Sequence, residues 1–255
     1  MKILLSNDDG VHAPGLKALY QEVKKLGEVW VAAPFEEKST TGHSLTIHKP
    51  LRIMTTDSGF YGVSGSPADC IYLGVRQIMK EMPDWVISGI NRGANLGQDV
   101  YYSGTVSAAR EACILGIPSL AVSLNVDFGR TQEEKKLHYE TAAKLAVQVI
   151  RKLKNHPLPK HTLLNLNVPD LPLAQIQGIR SVRQGFRYYS GGILRRVDHR
   201  GKPYYWVGGK YQGFKKDQDT DCFAVDHGYA SLTPLNLDST DYDYLNSLEE
   251  HVKIK

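Results

Sequence analysis

The sequence predicts an α/β fold with a mostly parallel sheet, and three observations carry that expectation. The chain opens on a strand–helix–strand pattern of βαβ spacing, a unit whose crossover is right-handed in nearly all proteins. Further strand candidates are short apolar runs of the buried kind, suited to a sheet covered on both faces. Between them lie helical patterns rather than tight turns. A chain of 255 residues can bury a sizeable core, as one large domain or as a domain with an appendage.

Residues 2–6 form the first buried strand. Residues 14–26 place Leu16, Leu19, Tyr20, Val23 and Leu26 on one helical face, with Pro14 suited to the first turn and Gly27 to the stop. Residues 28–33 are the second strand, closed by Pro34. A polar, hydroxyl-rich loop follows over 34–44, and the β-rich stretches 45–53 and 60–63 predict a hairpin-like excursion. Ser66 as cap, Pro67 in the first turn and Asp69 at the capping-box position start a helix that runs to about Met79. Residues 84–88 are the next strand, ended by a loop over 89–97 that holds three glycines and two asparagines. Ser103-Gly104-Thr105 leads into a helix stopped by Gly116, and 118–124 resumes as a strand. Thr131-Gln132-Glu133-Glu134 reads as a capping box for a long helix with Leu145, Ala146, Val149, Ile150 and Leu153 as its buried stripe; 163–168 is one more strand.

After Pro169 the character changes. Residues 176–186 alternate, and 195–209 read as two strands about Asp198-His199-Arg200-Gly201, so 176–228 include a long β-hairpin arm. Residues 229–235 rejoin the body, 242–252 form a terminal helix, and 1–255 is taken as a single domain. The formal net charge of +4 is too small to indicate nucleic-acid binding, and no binding to nucleic-acid duplexes is expected. Its distribution is uneven, with ten Lys/Arg and one acid, Asp198, between Arg180 and Lys216. No apolar run approaches the roughly 20 residues of a membrane span, and no signal-peptide layout precedes the first strand. Cys70, Cys113 and Cys222 lack CxxC spacing, so neither a disulfide framework nor a zinc site is supported, and a cytoplasmic setting is expected.

The chemistry concentrates in loops that follow strands. Asp8 and Asp9 end the first strand, where open α/β sheets bind ligands. Adjacent carboxylates there hold a divalent cation or form a solvated Asp-Asp-Gly turn. Taken singly, Ser39 is a loop hydroxyl and Asn91 a turn residue. Their shared position after strands groups Asp8, Asp9, Ser39 and Asn91 as oxygen donors for a hard cation such as Mg²⁺ or Mn²⁺. Position alone does not choose Asn91 over Asn95. Ser103, Gly104 and Thr105 open a helix whose N–H groups suit an anion, or Ser103 simply caps it. Gly42, His43 and Ser44 make a second small turn, in which His43 is a proton donor or a hydrogen-bonding loop residue. Three rival motifs are absent: the GxxxxGK[ST] loop, a GxGxxG after the first strand, and a GxSxG elbow.

Five motifs in order resemble the survival protein E (SurE) family. They are Ser-Asn-Asp-Asp-Gly at 6–10, Lys-Ser-Thr-Thr-Gly-His-Ser-Leu-Thr-Ile at 38–47, Gly-Ser-Pro-Ala-Asp-Cys at 65–70, Ser-Gly-Ile-Asn-Arg-Gly-Ala-Asn at 88–95 and Tyr-Ser-Gly-Thr-Val-Ser-Ala-Ala at 102–109. Leu-Asn-Leu-Asn-Val-Pro at 164–169 and Gly-Tyr-Ala-Ser-Leu-Thr-Pro-Leu at 228–235 extend the likeness; Lys38 stands where the family more often has Arg. The resemblance implies a Rossmann-like three-layer αβα sandwich with an extended C-terminal hairpin exchanged between subunits of a dimer or tetramer. It implies a 5′(3′)-nucleotidase acting on nucleoside monophosphates with one divalent ion, Mg²⁺ or Mn²⁺, per subunit, some members also cleaving polyphosphate. Asp8, Asp9, Ser39 and Asn91 match the metal positions; Asp8 and Asp9 are the catalytic candidates, and Gly42, His43, Ser44, Asn95, Ser103, Gly104 and Thr105 the phosphate and substrate candidates. Water or Asp8 itself is the attacking group. The rival reading is a non-catalytic binder of nucleotides or polyanions that uses the basic arm; a metal-dependent glycosyltransferase is weaker, with no sugar-nucleotide pattern evident.

Overall fold

The computed structural model describes residues 1–126 and 137–252. Strand β1 (Lys2–Ser6) leads through helix α1 (Pro14–Val23) to β2 (Glu28–Pro34), which pairs with β1 in parallel. The apolar residues of β1 split between two faces as strand geometry requires: Ile3 and Leu5 join one core, Leu4 the other. α1 buries Leu16, Leu19 and Val23 in the first of these, and its last residue is Val23 rather than Leu26. Residues 24–26 turn instead, so that Glu28 can bond the carbonyl of Met1 at 2.9 Å.

β3 (Ile53–Thr55) and β4 (Tyr61–Val63) form the expected antiparallel excursion, but residues 45–52 take no part in it. They stay a loop because Thr46 is held elsewhere: its N–H and hydroxyl both reach the Asp69 carboxylate, at 2.8 and 2.7 Å. Asp69 also completes the capping box with Ser66 at the start of α2 (Pro67–Leu73), which continues as a π-helical turn (Gly74–Met79). β5 (Trp85–Arg92) runs four residues beyond the expected Ser88, with an irregular register against the next strand between Ser88 and Asn91. A 3-10 turn (Gly97–Tyr101) precedes α3 (Gly104–Ile114), and β6 (Ser119–Asn125) follows. α4 (Tyr139–Leu153) buries Leu145, Ala146, Val149 and Ile150 as expected; the capping box at 131–134 lies outside the described residues. β7 (Thr162–Pro169) completes the parallel half of the sheet.

The later elements are β8 (Ile179–Ser181), β9 (Arg187–Tyr189), β10 (Gly192–Val197), β11 (Pro203–Gly208), β12 (Tyr211–Phe214), α5 (Asp221–Asp226), β13 (Ala230–Asn236) and α6 (Tyr242–His251). The nine-stranded sheet has the order β3-β4-β2-β1-β5-β6-β7-β13-β8, with antiparallel pairs only at β3/β4 and β7/β13. α1 and α4 cover one face, and α2 and α3 the other, giving three layers. Each fully buried aliphatic side chain in these cores contributes roughly 1.5–3 kcal/mol. β10 and β11 form a separate exposed hairpin; its turn is closed by Asp198, whose Oδ1 accepts from the N–H groups of Arg200 and Lys202 at 2.8 and 2.9 Å.

Candidate functional site

Because β2 lies on one side of β1 and β5 on the other, the strand order reverses at β1, and a crevice opens past the carboxyl ends of β1 and β5. The three polar loops converge there. A cavity of about 560 Å³ is lined by Asp8, Ser39, Asn91, Asn95 and Ser103 together with Gln98, Asp99, Tyr102 and Tyr189. Of the four oxygen donors grouped from the sequence, Asp8, Ser39 and Asn91 line this cavity, whereas Asp9 does not.

Asp8 is 4 % exposed. Burial pushes its carboxyl up to about 7, against the opposing pull of the Thr105 hydroxyl, which donates to Asp8 Oδ1 at 2.5 Å. Its backbone carbonyl accepts from the Lys38 N–H at 2.7 Å, fixing the 38–44 loop over the end of β1. Asp9 is also raised by burial, with the Arg92 N–H donating to its Oδ2 at 3.1 Å and opposing that rise. Asn91 donates its Nδ2 to the carbonyl of Gly93 at 2.8 Å, which turns its amide oxygen into the available end. Ser39 donates to Glu37 Oε1 at 2.6 Å and keeps its lone pairs. Among the described residues the buried Asn7 Oδ1, next to Asp8, has no hydrogen-bond partner. Two raised carboxyls, an amide oxygen and a hydroxyl make an all-oxygen donor set that fits a hard divalent cation, whose charge would offset the burial of Asp8.

The other candidates divide. α3 starts against Asp8: Ser103 caps it by accepting from the Val106 N–H at 3.0 Å, and a Cβ on Gly104 would stand 2.7 Å from the Asp8 Cβ. Glycine at 104 is therefore what lets the helix start approach the carboxylate. Asn95 is buried and committed to the sheet, its Nδ2 on Ser123 Oγ at 2.8 Å and its carbonyl bonded by Asn165 and Asn167 at 2.8 and 3.1 Å. Gly42 donates to the Tyr102 carbonyl at 3.2 Å; His43 Nε2 lies 2.9 Å from Glu111 Oε2 on α3; the Ser44 carbonyl accepts from Ser66 Oγ at 2.6 Å. These three brace the loop and do not line the cavity. Sequence reasoning missed Gln98, Asp99 and Tyr102, and it read Tyr189 as part of an oligomer-forming arm. Only the aromatic residues carried a signal, as side chains suited to stacking.

Fold and cavity together define a doubly wound, Rossmann-like α/β protein with an acidic, oxygen-rich cavity at the topological switch point, where such folds bind ligands. The chain belongs to the Survival protein SurE family, whose model matches residues 3–191. It is 47 % identical over 249 residues to a protein of Geobacter sulfurreducens named 5'-nucleotidase SurE, covering 98 % of this chain and 93 % of that one. A protein of the same name from Legionella pneumophila (strain Lens) is 47 % identical over 258 residues, with all of both chains covered. The crystal structure of the SurE protein from Aquifex aeolicus superposes with a TM-score of 0.84 at 43 % identity, covering 98 % of this chain and 99 % of that one. Among the described residues no helix is long and apolar enough to cross a membrane.

Proposed function

We propose that this chain is a metal-dependent phosphatase that hydrolyses nucleoside monophosphates to nucleoside and phosphate, a 5′(3′)-nucleotidase, with polyphosphate as a further substrate class. The carrying observation is the buried, raised Asp8 at the switch point, facing a nucleotide-sized cavity beside Asn91 and Ser103. The names of its full-length relatives support the same reaction.

Asp8, Asp9, Ser39 and Asn91 would hold one divalent ion, Mg²⁺ or Mn²⁺, which when bound supplies positive charge to the phosphoryl oxygens and lowers the pKa of a coordinated water. The chain's own residues do the rest. Thr105 keeps Asp8 oriented with one oxygen tied and the other turned to the ligand. The first turn of α3, Ser103 to Thr105, presents the positive end of a helix dipole to an anionic phosphoryl group. Asp8 or Asp9 orients the attacking water in line with the leaving nucleoside oxygen. We further infer a cytoplasmic protein that associates as a dimer or tetramer through the exposed β10–β11 hairpin.

A phosphate-release screen over nucleoside monophosphates with Mg²⁺, Mn²⁺ or EDTA tests the reading. Release that needs the metal, and that Asp8→Asn abolishes without unfolding the protein, is expected. Binding of nucleotides with steep salt dependence and no phosphate release would instead favour a polyanion binder that uses the basic arm.

A further inference from the structure

The cavity has more wall than a phosphate needs. Its wall also includes Tyr102 and Tyr189, and its volume of about 560 Å³ far exceeds the space a phosphate fills. Tyr102 is 66 % exposed and Tyr189 44 % exposed. Rings left open on a polar cavity wall are surfaces on which another flat ring can stack.

The backbone of Tyr102 and the ring of Tyr189 are both held. The Tyr102 N–H donates to the Asp99 carbonyl at 3.0 Å, and its own carbonyl accepts from Gly42 at 3.2 Å. That fixes its backbone between the 3-10 turn and the loop over β1. The Tyr189 hydroxyl donates to Asp99 Oδ2 at 2.6 Å, and Arg187 donates to the same oxygen at 2.6 Å. The Arg187 guanidinium lies 5.4 Å from the Tyr189 ring centre and 4.4 Å from that of Tyr211. Gln98 clamps the strand beneath: its Nε2 donates to the Arg187 carbonyl at 2.7 Å, and its Oε1 accepts from the Arg187 N–H at 2.8 Å. Two residues of one 3-10 turn thus hold β9, and with it Tyr189, at a set distance from Asp8.

We propose that Tyr102 and Tyr189 form the nucleoside wall of this site, stacking on the base of the substrate, and that Asp99 and Arg187 are positioning residues that hold Tyr189 in place. The inference rests on the nucleotidase reading and adds where the non-reacting half of the substrate lies. Stacking accepts any π face, so the wall takes purine and pyrimidine nucleotides alike, with purines favoured by their larger ring.

The test compares AMP with ribose 5-phosphate, which keeps the phosphate and sugar and lacks the base. In the full-length protein with Mn²⁺, Tyr102→Ala and Tyr189→Ala are each expected to lower the ratio of kcat/KM for AMP to that for ribose 5-phosphate about tenfold, mainly through KM. Tyr102→Phe and Tyr102→Trp should restore it. Tyr189→Phe, which keeps the ring and loses the bond to Asp99, should fall between Tyr189→Ala and wild type, as should Asp99→Asn. Equal losses on both substrates, or a ratio that no variant changes, overturn the inference while leaving the nucleotidase reading standing. A wild-type protein that releases phosphate from neither substrate overturns both.

Discussion

Thr105 donates its hydroxyl hydrogen to Asp8 Oδ1 at 2.5 Å, joining the first turn of α3 to the end of β1 across 97 residues of sequence. A hydrogen bond to a charged group is worth roughly 1.5–3 kcal/mol, and this one supports the ionised form of a carboxyl that burial pushes towards neutrality. Thr105→Val keeps the shape and removes the donor. The metal concentration giving half-maximal phosphate release should rise about tenfold or more, with the far-ultraviolet circular dichroism spectrum unchanged. An unaltered Mn²⁺ titration would show that Thr105 only fills space.

The same burial predicts the pH response of the metal-free protein. Asp8 sits at about 7 in the folded state, above its ordinary value of 3.8. Its contribution to stability is therefore fully present below the unfolded value and lost as pH rises through about 7. Asp8→Asn stays neutral throughout. In EDTA at pH 8 it should melt roughly 5–10 °C above wild type, since three pKa units correspond to about 4 kcal/mol. At pH 4 the two should melt together. A variant that melts lower than wild type at pH 8 would mean that Asp8 is not strained by burial.

Asp221 is a buried carboxylate that holds the arm to the body. Its oxygens accept from the N–H groups of Gly97, Gly185 and Cys222 at 2.9, 2.8 and 2.7 Å. Asp221→Ala leaves two buried donors and a half-buried one unpaired and should cost about 3 kcal/mol by urea unfolding, whereas Asp221→Asn, which retains an acceptor, should cost less. Equal losses would refute the clamp.

The β10–β11 hairpin exposes apolar side chains on a scale that a lone chain seldom tolerates, with Trp206 64 % and Val207 88 % exposed. Removal of residues 191–209 is expected to reduce the native mass measured by light scattering. A mass per particle that scales only with the deleted residues would exclude the hairpin from self-association.

What was legible in the sequence follows from how local its causes are. The capping box of Ser66 and Asp69 is written in four consecutive residues and stands as read. The α4 stripe repeats every three or four residues and survives for the same reason. β5 was cut short because Gly89, Asn91 and Gly93 are turn residues in isolation. In the sheet, a Cβ on Gly89 would stand 2.3 Å from the Val122 carbonyl, so that glycine marks the close approach of β6 rather than a turn. Asp8 and Ser39 could be grouped because each follows a strand, and Asn91 joined them because it stands near the carboxyl end of β5. Tyr102 and Tyr189 could not, because the contact that relates them to the cavity runs through Asp99 and the fold of the arm's root.

Asn95 is held by Ser123, Asn165 and Asn167, all fully buried within β6 and β7. A sheet interior under selection for cohesion alone would carry valine or isoleucine at those three positions. Repacking them that way would tighten the strands while releasing the loop that carries Asn95, just past the end of β5. Attempts to raise the thermal tolerance of this scaffold should therefore leave that polar seam intact, because the geometry of the cavity edge is anchored in β6 and β7, behind the residues that line it.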